Sequence, residues 1–177
     1  VIAKNFFQMT GEAPLTGLIL TYASFAIAFF FRPLGAIVFG RLGDRIGRKP
    51  TLIIVLVLMT LATTAIGLVP VYASIGIAAP LILTGLRILQ GLFAGGEYGG
   101  AVSLMTEFAP KGKRGLYGAW QSFTVALGLL AGAGVVALIS AALSPESLHD
   151  WGWRIPFFLA IPMGIVALWL RVKMEET

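Results

Sequence analysis

Long runs without a charged residue dominate this chain and restrict what it can fold into. They cover residues 13–31, 50–86, 115–145 and 155–170. A helix needs about 20 apolar residues to cross the hydrocarbon core of a bilayer. Pro70 and Pro80 divide the second run, and the helix that begins after Pro80 continues past Arg87 and Glu97. The pattern therefore predicts five membrane-spanning helices, near residues 15–39, 51–69, 81–108, 116–142 and 153–171.

The composition agrees with a surface that faces lipid. Charged residues make up 12% of the 177 residues and hydrophobic residues 58%, whereas a soluble domain carries about 25% charged residues. This excludes a disordered chain, a disulfide-stapled secreted module and most soluble enzymes. The sequence has no cysteine, which excludes thiol nucleophiles and cysteine metal sites. Residues 51–69 lack the alternation of polar and apolar residues that a barrel strand shows, so we expect an all-α polytopic membrane helix bundle. We do not expect this protein to be an enzyme.

The charged residues are distributed unevenly between the two predicted sides of the membrane. Nine basic residues fall in the 41–49 loop, the 109–115 loop and the tail at 171–177, against two on the opposite side. Basic residues accumulate on the cytoplasmic side of membrane proteins, so these three segments are predicted to be cytoplasmic. The net charge of +5 thus indicates topology, and no nucleic-acid partner is expected. Trp151 and Trp153 are expected at one membrane interface and Trp169 near the other.

A glycine-rich basic segment joins the first two predicted spans and reads Gly40-Arg41-Leu42-Gly43-Asp44-Arg45-Ile46-Gly47-Arg48-Lys49-Pro50. Its glycines permit close approach and left-handed backbone conformations, and Pro50 suits the first turn of the next helix. Together they predict a very tight hairpin. Asp44 is the only acid among four bases, so we expect it to be in an ion pair.

The third predicted span carries Arg87, Gln90 and Glu97 within its length. A charge at membrane depth costs about 2.5–3.5 kcal/mol on insertion scales, so it needs a partner or a wet cavity. At about 100° per residue the three side chains share one broad face. Arg87 and Glu97 lie about 15 Å apart along the axis, so we expect separate partners, one or both on helices outside this chain. The alternative is that both residues serve only as members of packing ion pairs. Glycines at every fourth position predict close packing of a neighbouring helix: Gly91, Gly95 and Gly99.

These motifs resemble those of one transporter family. Residues 40–52 resemble the signature loop between the second and third helices of the major facilitator superfamily, although Gly43 replaces the commoner alanine. Matching positions are Gly40, Leu42, Asp44, Arg45, Gly47, Arg48, Lys49 and Leu52. Arg87, Gln90 and Gly91 resemble the fourth-helix motif. Residues 95–100, Gly-Gly-Glu-Tyr-Gly-Gly, resemble the metabolite:proton symporter branch, which includes carriers of citrate, 2-oxoglutarate, shikimate, proline and betaine.

The resemblance covers nearly the whole chain. Residues 31–35 resemble part of the second helix of the family, and residues 151–157 resemble the start of the sixth helix. The loop after the fourth helix is resembled by the segment that contains Glu107, Pro110, Arg114 and Gly115. It implies helices two to six of a twelve-helix carrier. The first helix is then represented at most by residues 1–7. The chain does not begin with Met, and we expect it to be a segment of a longer protein whose C-terminal half is a partner.

The resemblance also implies a function, namely alternating-access symport of protons with a small metabolite, an organic acid or a zwitterion, in a bacterial-type inner membrane. Arg87 is expected to attract an anionic substrate group or the proton-linked carboxylate, with Gln90 beside it. Glu97 is the candidate proton carrier, and Arg32 is a second candidate cation that could instead extend toward the cytoplasmic face. The gating motif is expected to comprise Gly40, Asp44, Arg45, Gly47, Arg48, Glu107 and Arg114, with Arg45 coupled to Glu107.

Three alternatives stay open at this point: a proton-independent facilitator, a channel subunit, and a non-transporting membrane protein that retains the carrier fold. A cofactor site is not expected, because the glycine pattern at 132–137 lies mid-span with no strand before it. His149 is the only histidine and lies in a polar loop, so no metal site is expected either. The expected partners are therefore the lipid bilayer, the substrate, protons and the rest of the carrier.

Overall fold

A computed structural model describes residues 2–7 and 14–173 of the chain. The predicted cytoplasmic tail beyond Lys173 lies outside the described residues. Helices account for nearly all of the described part, and no strand occurs within it. A π-helical turn covers Ala3–Phe7 and a 3-10 turn covers Gly152–Arg154. The α-helices are α1 (Pro14–Phe30), α2 (Arg32–Ile46), α3 (Arg48–Leu68), α4 (Tyr72–Ile75), α5 (Ala78–Phe108), α6 (Arg114–Ala142), α7 (Pro145–Asp150), α8 (Ile155–Phe158) and α9 (Ala160–Lys173).

Five segments are long and apolar enough to cross a membrane: residues 15–46, 48–68, 78–108, 114–142 and 152–173. The all-α bundle with five candidate membrane helices that the sequence predicts is therefore confirmed. The first segment consists of α1 and α2, which meet at Phe31. The break has a covalent cause, because Pro33 has no N–H to donate to the carbonyl one turn earlier.

The hairpin between the first two spans is tighter than the predicted loop at 41–49. Helix α2 continues to Ile46, so Arg41 and Arg45 are helical, and Gly47 alone separates α2 from α3. Gly47 has φ 95°, a left-handed value that glycine adopts without steric cost. The helix continues beyond residue 39, where the predicted first span ends, and the 32 residues of the segment reach about 48 Å. That length exceeds the hydrocarbon core of about 30 Å, so the charged end of α2 can extend beyond it.

Helix α5 is the centre of the bundle and packs against α1, α2 and α3. At Gly91 and Gly95 an added Cβ would collide with the backbone carbonyls of Ala28 and Arg32. Gly35 of α2 abuts the Leu92 carbonyl in the same way. The close packing predicted from the glycine spacing is thus confirmed. It brings the backbones of α2 and α5 together, as small residues do between membrane helices.

An aromatic core closes the end of the bundle that contains the π-helical turn. It comprises Phe6, Phe7, Ile66, Val69, Ala79, Leu83 and Trp153. The rings of Phe6 and Trp153 meet edge to face with centroids 5.3 Å apart. The place of Trp153 at a membrane interface stays a prediction, but its side chain is packed within the bundle and only 4% exposed. The reason is tertiary, because the π-helical turn covers the indole.

Helix α6 lies at the periphery. None of its residues is buried, and Leu129, Leu130 and Leu138 are largely exposed. Helix α9 packs instead against α3, where Gly164 faces the side chain of Thr60. The exposed apolar face of α6 is suited to contact with lipid or with further helices.

Candidate functional site

The charged residues inside the bundle form two separate groups on α5. The first surrounds Arg87, whose guanidinium carbon lies 4.2 Å from the ring centroid of Phe25 on α1. Its Nη1 donates a hydrogen bond to Gln90 Oε1 at 3.1 Å, and Gln90 Nε2 donates to Thr63 Oγ1 on α3 at 2.8 Å. A cation over an aromatic face is stabilised by the ring quadrupole. This polar chain therefore orients Arg87 from α1, α3 and α5 together.

The second group is an ion pair between Glu97 of α5 and Arg171 of α9. Arg171 Nη2 lies 2.6 Å from Glu97 Oε1, and Arg171 Nη1 donates to the Leu52 carbonyl of α3 at 2.7 Å. The Arg171 side chain is 20% exposed and that of Glu97 32%. The expectation for Glu97 changes accordingly, because its partner lies within this chain. Arg171, counted among the basic residues of the tail, instead turns its guanidinium into the bundle.

Glu97 also lies off the centre of its helix. It is 11 residues from Phe108 and 19 from Ala78, so it lies about 16 Å from the Phe108 end and about 28 Å from the other. Arg87 and Glu97 make no contact with each other, as their spacing predicts. The two charged groups thus occupy different depths of the same helix.

The gating motif forms an ion pair different from the predicted one. Glu107 near the end of α5 pairs with Arg48, the first residue of α3, and not with Arg45. Arg45 lies on the exposed side of α2, whereas the turn at Gly47 directs Arg48 toward α5. The Thr51 hydroxyl donates to the Gly47 carbonyl at 2.9 Å and closes the first turn of α3. The ion pair thereby joins the hairpin to the end of α5.

A small cavity of about 80 Å³ lies between α2, α3 and α5 beside this ion pair. Asp44 and Arg48 supply its charges, and half of its other lining residues are glycines: Gly40, Gly43, Gly96, Gly99 and Gly100. The expectation that Asp44 is paired does not hold within the described part of the chain, where it makes no ion pair. Asp44 is exposed at the surface.

The remaining predicted site residues lie apart from these groups. The Arg32 guanidinium stacks on the Phe29 ring at 3.8 Å and is exposed, so it joins neither Arg87 nor Glu97. Arg114 begins α6 and is exposed. Sequence reasoning missed three participants: Phe25, Thr63 and Arg171. Arg171 follows directly after an uncharged run, and this position could have drawn attention to it. The run does not indicate that the Arg171 side chain points into the bundle. Across residues 2–7 and 14–173, no three His, Asp or Glu side chains lie together as a metal site would require.

Comparison of the sequence with known proteins shows the family to which the chain belongs. The profile of the family described as sugar (and other) transporter matches residues 2–177. The chain is 46% identical over 176 residues to a proline/betaine transporter of Salmonella typhimurium, covering 99% of this chain and 35% of that protein. It is 42% identical over 177 residues to the shikimate transporter of Escherichia coli, covering 100% of this chain and 40% of that protein. The chain thus spans well under half the length of these relatives.

The fold has a counterpart among solved structures. The xylose transporter XylE from Escherichia coli, in a partially occluded inward-open conformation, superimposes with a TM-score of 0.86 at 21% identity. The match covers 99% of this chain and 42% of that one. Because the identity is low, the match shows a shared fold and nothing finer. The chain therefore belongs to the sugar (and other) transporter family of the major facilitator superfamily, as its loop and fourth-helix motifs indicate.

Proposed function

We propose that this chain forms helices two to six of a longer secondary carrier that takes up a small metabolite together with protons. The observation that carries the proposal is the pair of charged groups held at two depths of α5, Arg87 and Glu97. A charge inside a membrane helix persists where it binds or carries something. The relatives named as proline/betaine and shikimate transporters support the same activity.

Arg87 is the proposed binding group for the substrate. Within residues 2–7 and 14–173 it meets a ring and an amide but no carboxylate, so its positive charge stays available. A guanidinium recognises a carboxylate through two parallel hydrogen bonds. An organic acid or a zwitterion carries that group, and Gln90 is the neighbour that holds the guanidinium in place.

Glu97 is the proposed proton carrier. Its carboxylate is the acid that lies deepest in α5, and it is partly open to solvent. A carboxylate that gains a proton loses its attraction to Arg171, so proton binding changes a contact between helices. In a carrier whose halves rock around a central site, such a change can bias one state.

The residues around the Gly47 hairpin are the proposed gate. Arg48 and Glu107 join α3 to the end of α5, and exposed Asp44, Arg45 and Arg114 are available to the rest of the carrier. Gly47 permits the tight turn through its left-handed backbone, whereas a Cβ added at Gly40 would meet nothing within 4 Å. The basic asymmetry supports a cytoplasmic location for this end, and the bacterial relatives support an inner membrane.

Transport by the full-length carrier in proteoliposomes tests this function. Proline, betaine and shikimate are the first substrates to use. We expect uptake driven by an acid-outside pH gradient and abolished by a protonophore. Glu97→Gln keeps the shape but removes the titration, so uphill accumulation collapses while exchange persists. Arg87→Lys keeps the charge but loses the fork, so exchange itself fails.

Matched controls make the same chemical changes outside the two groups. Glu146→Gln alters an exposed acid of α7, and Arg154→Lys alters an arginine that stacks on Trp153. Both are expected to transport as the parent does. Uptake that ignores the protonophore would identify a proton-independent facilitator. An unchanged pH profile in Glu97→Gln would move the proton site elsewhere, and no uptake of any substrate by a well-expressed carrier would favour a non-transporting protein.

A further inference from the structure

Arg171 occupies an unusual position between two acceptors of different kinds. One is the Glu97 carboxylate of α5, whose charge disappears when it binds a proton, and the other is the Leu52 carbonyl of α3, whose dipole is permanent. The guanidinium reaches both with separate nitrogens at 2.6 and 2.7 Å. One side chain of α9 thus connects three helices through one titratable and one constant contact.

This connection matters because α9 and α5 make few other direct contacts with each other. Helix α9 packs mainly against α3, and α3 in turn packs against α5. Among the hydrogen bonds and ion pairs of the described residues, Arg171–Glu97 is the one that links α9 to α5 directly. Loss of this contact would leave α9 attached to α3 through the Leu52 carbonyl and through packing.

We propose that Arg171 couples the protonation of Glu97 to the position of α9. With Glu97 ionised, the guanidinium holds α9 against α5. With Glu97 protonated, the ion pair weakens to a hydrogen bond between the charged guanidinium and a neutral acid, while the contact of Arg171 with the Leu52 carbonyl of α3 persists. Arg171 is therefore a positioning residue for the proton site, and this inference rests on the proposed proton-carrying role of Glu97.

The other charges around Glu97 do not replace Arg171. Helices α1 and α4 carry no charged residue, and the first residue of α6, Arg114, is its single charge. The charges of α2 and α3 nearest this part of α5 have other arrangements. Arg48 is paired with Glu107, Asp44 is exposed at the cavity rim, and the Arg32 guanidinium stacks on Phe29.

The pH profile of uptake tests the coupling in the full-length carrier. Arg171→Gln removes the cation that contacts the Glu97 carboxylate, so it is expected to shift the pH of half-maximal uptake. Arg171→Lys retains the charge and should restore most of the parent profile. Lys173→Gln removes a positive charge from the same helix end, where Lys173 stacks on Trp169, and should leave the profile unchanged.

A distance measurement that does not depend on transport separates this inference from the proposed function. Nitroxide labels replace two exposed residues, Leu81 of α5 and Val172 of α9, and pulsed electron paramagnetic resonance reports their separation. We expect a change between pH 8 and pH 5 in the parent and in Lys173→Gln. Glu97→Gln should show the low-pH distance at both values, and Arg171→Gln should not respond to pH.

The outcomes are distinct. If the distance responds to pH through Arg171 while uptake ignores the proton gradient, the coupling stands and proton symport is wrong. If uptake is proton-driven and depends on Glu97 while Arg171→Gln changes neither pH profile nor distance, the coupling is wrong. If the Arg171→Gln carrier does not reach the membrane, Arg171→Lys and the distance measured in Glu97→Gln decide whether the coupling exists. A parent-like response of that distance to pH in Glu97→Gln contradicts the proposal by itself.

Discussion

At the scale of single residues, the function of Arg87 depends on how its guanidinium is held. Phe25 stabilises its charge from one side, and Gln90 accepts one of its N–H groups. The Gln90 amide is itself oriented by the Thr63 hydroxyl, 27 positions away in sequence. A guanidinium presented in one orientation loses less entropy when it binds a carboxylate. If Arg87 binds the substrate as proposed, Thr63 acts on binding without needing to contact the substrate.

Replacement of Thr63 by Val tests this chain of contacts. The change keeps the shape but removes the acceptor for Gln90, and one hydrogen bond contributes about 1 kcal/mol. We expect the apparent substrate affinity to fall about five-fold in equilibrium binding to the full-length carrier. Thr63→Ser should restore it. Thr64→Val is the control, because the Thr64 hydroxyl donates only to the Thr60 carbonyl of its own helix; an equal loss there would refute a specific role for Thr63.

At the scale of helices, glycine decides which elements approach α5. Positions 91 and 95 leave no room for a Cβ because carbonyls of α1 and α2 fill the space. Gly85 belongs to the same helix, yet nothing lies within 4 Å of a Cβ added there. Within one helix, glycine is thus required for packing at positions 91 and 95 but not at position 85. The distinction depends on the neighbour and not on the glycine.

Alanine at these two positions makes the comparison quantitative. Gly95→Ala inserts a methyl group against the Arg32 carbonyl, and overpacking of this kind lowers the free energy of unfolding by about 1–3 kcal/mol. Gly85→Ala has space and gains helix propensity, worth about 0.5–1 kcal/mol. Thermal unfolding of the purified full-length carrier should show a lower midpoint for Gly95→Ala and an equal or higher one for Gly85→Ala. A parent-like midpoint for Gly95→Ala would contradict the packing of α2 on α5.

At the scale of the whole molecule, most of the basic residues lie at or near the connections at one end of the helices. The hairpin at Gly47, the segment between α5 and α6, and the end of α9 carry nine basic residues, and α7 with its neighbours carries acids. Insertion retains basic segments on the cytoplasmic side. We therefore expect the connections between helices to set the orientation of the bundle, while the helices determine only that it can lie in a membrane.

Single cysteines test the orientation. The chain contributes no cysteine of its own, so none of its residues adds background to the labelling. Lys113→Cys precedes α6 and Glu146→Cys lies in α7, and both positions are exposed. In intact cells an impermeant maleimide should label Glu146→Cys and leave Lys113→Cys unreacted until the membrane is opened. The reverse pattern would invert the topology.

The sequence by itself determined the class of fold, the number of candidate spans, a tight hairpin within residues 40–50 and the glycine positions of α5 where a neighbouring helix packs closely. Hydropathy, glycine spacing and turn chemistry are properties of one segment, so they can be read without knowledge of its neighbours. The tertiary structure decided the partners. It pairs Glu107 with Arg48 and not Arg45, buries Trp153, and brings Arg171 to Glu97 across 74 positions. Such contacts depend on the relative rotation and depth of two helices, which packing sets.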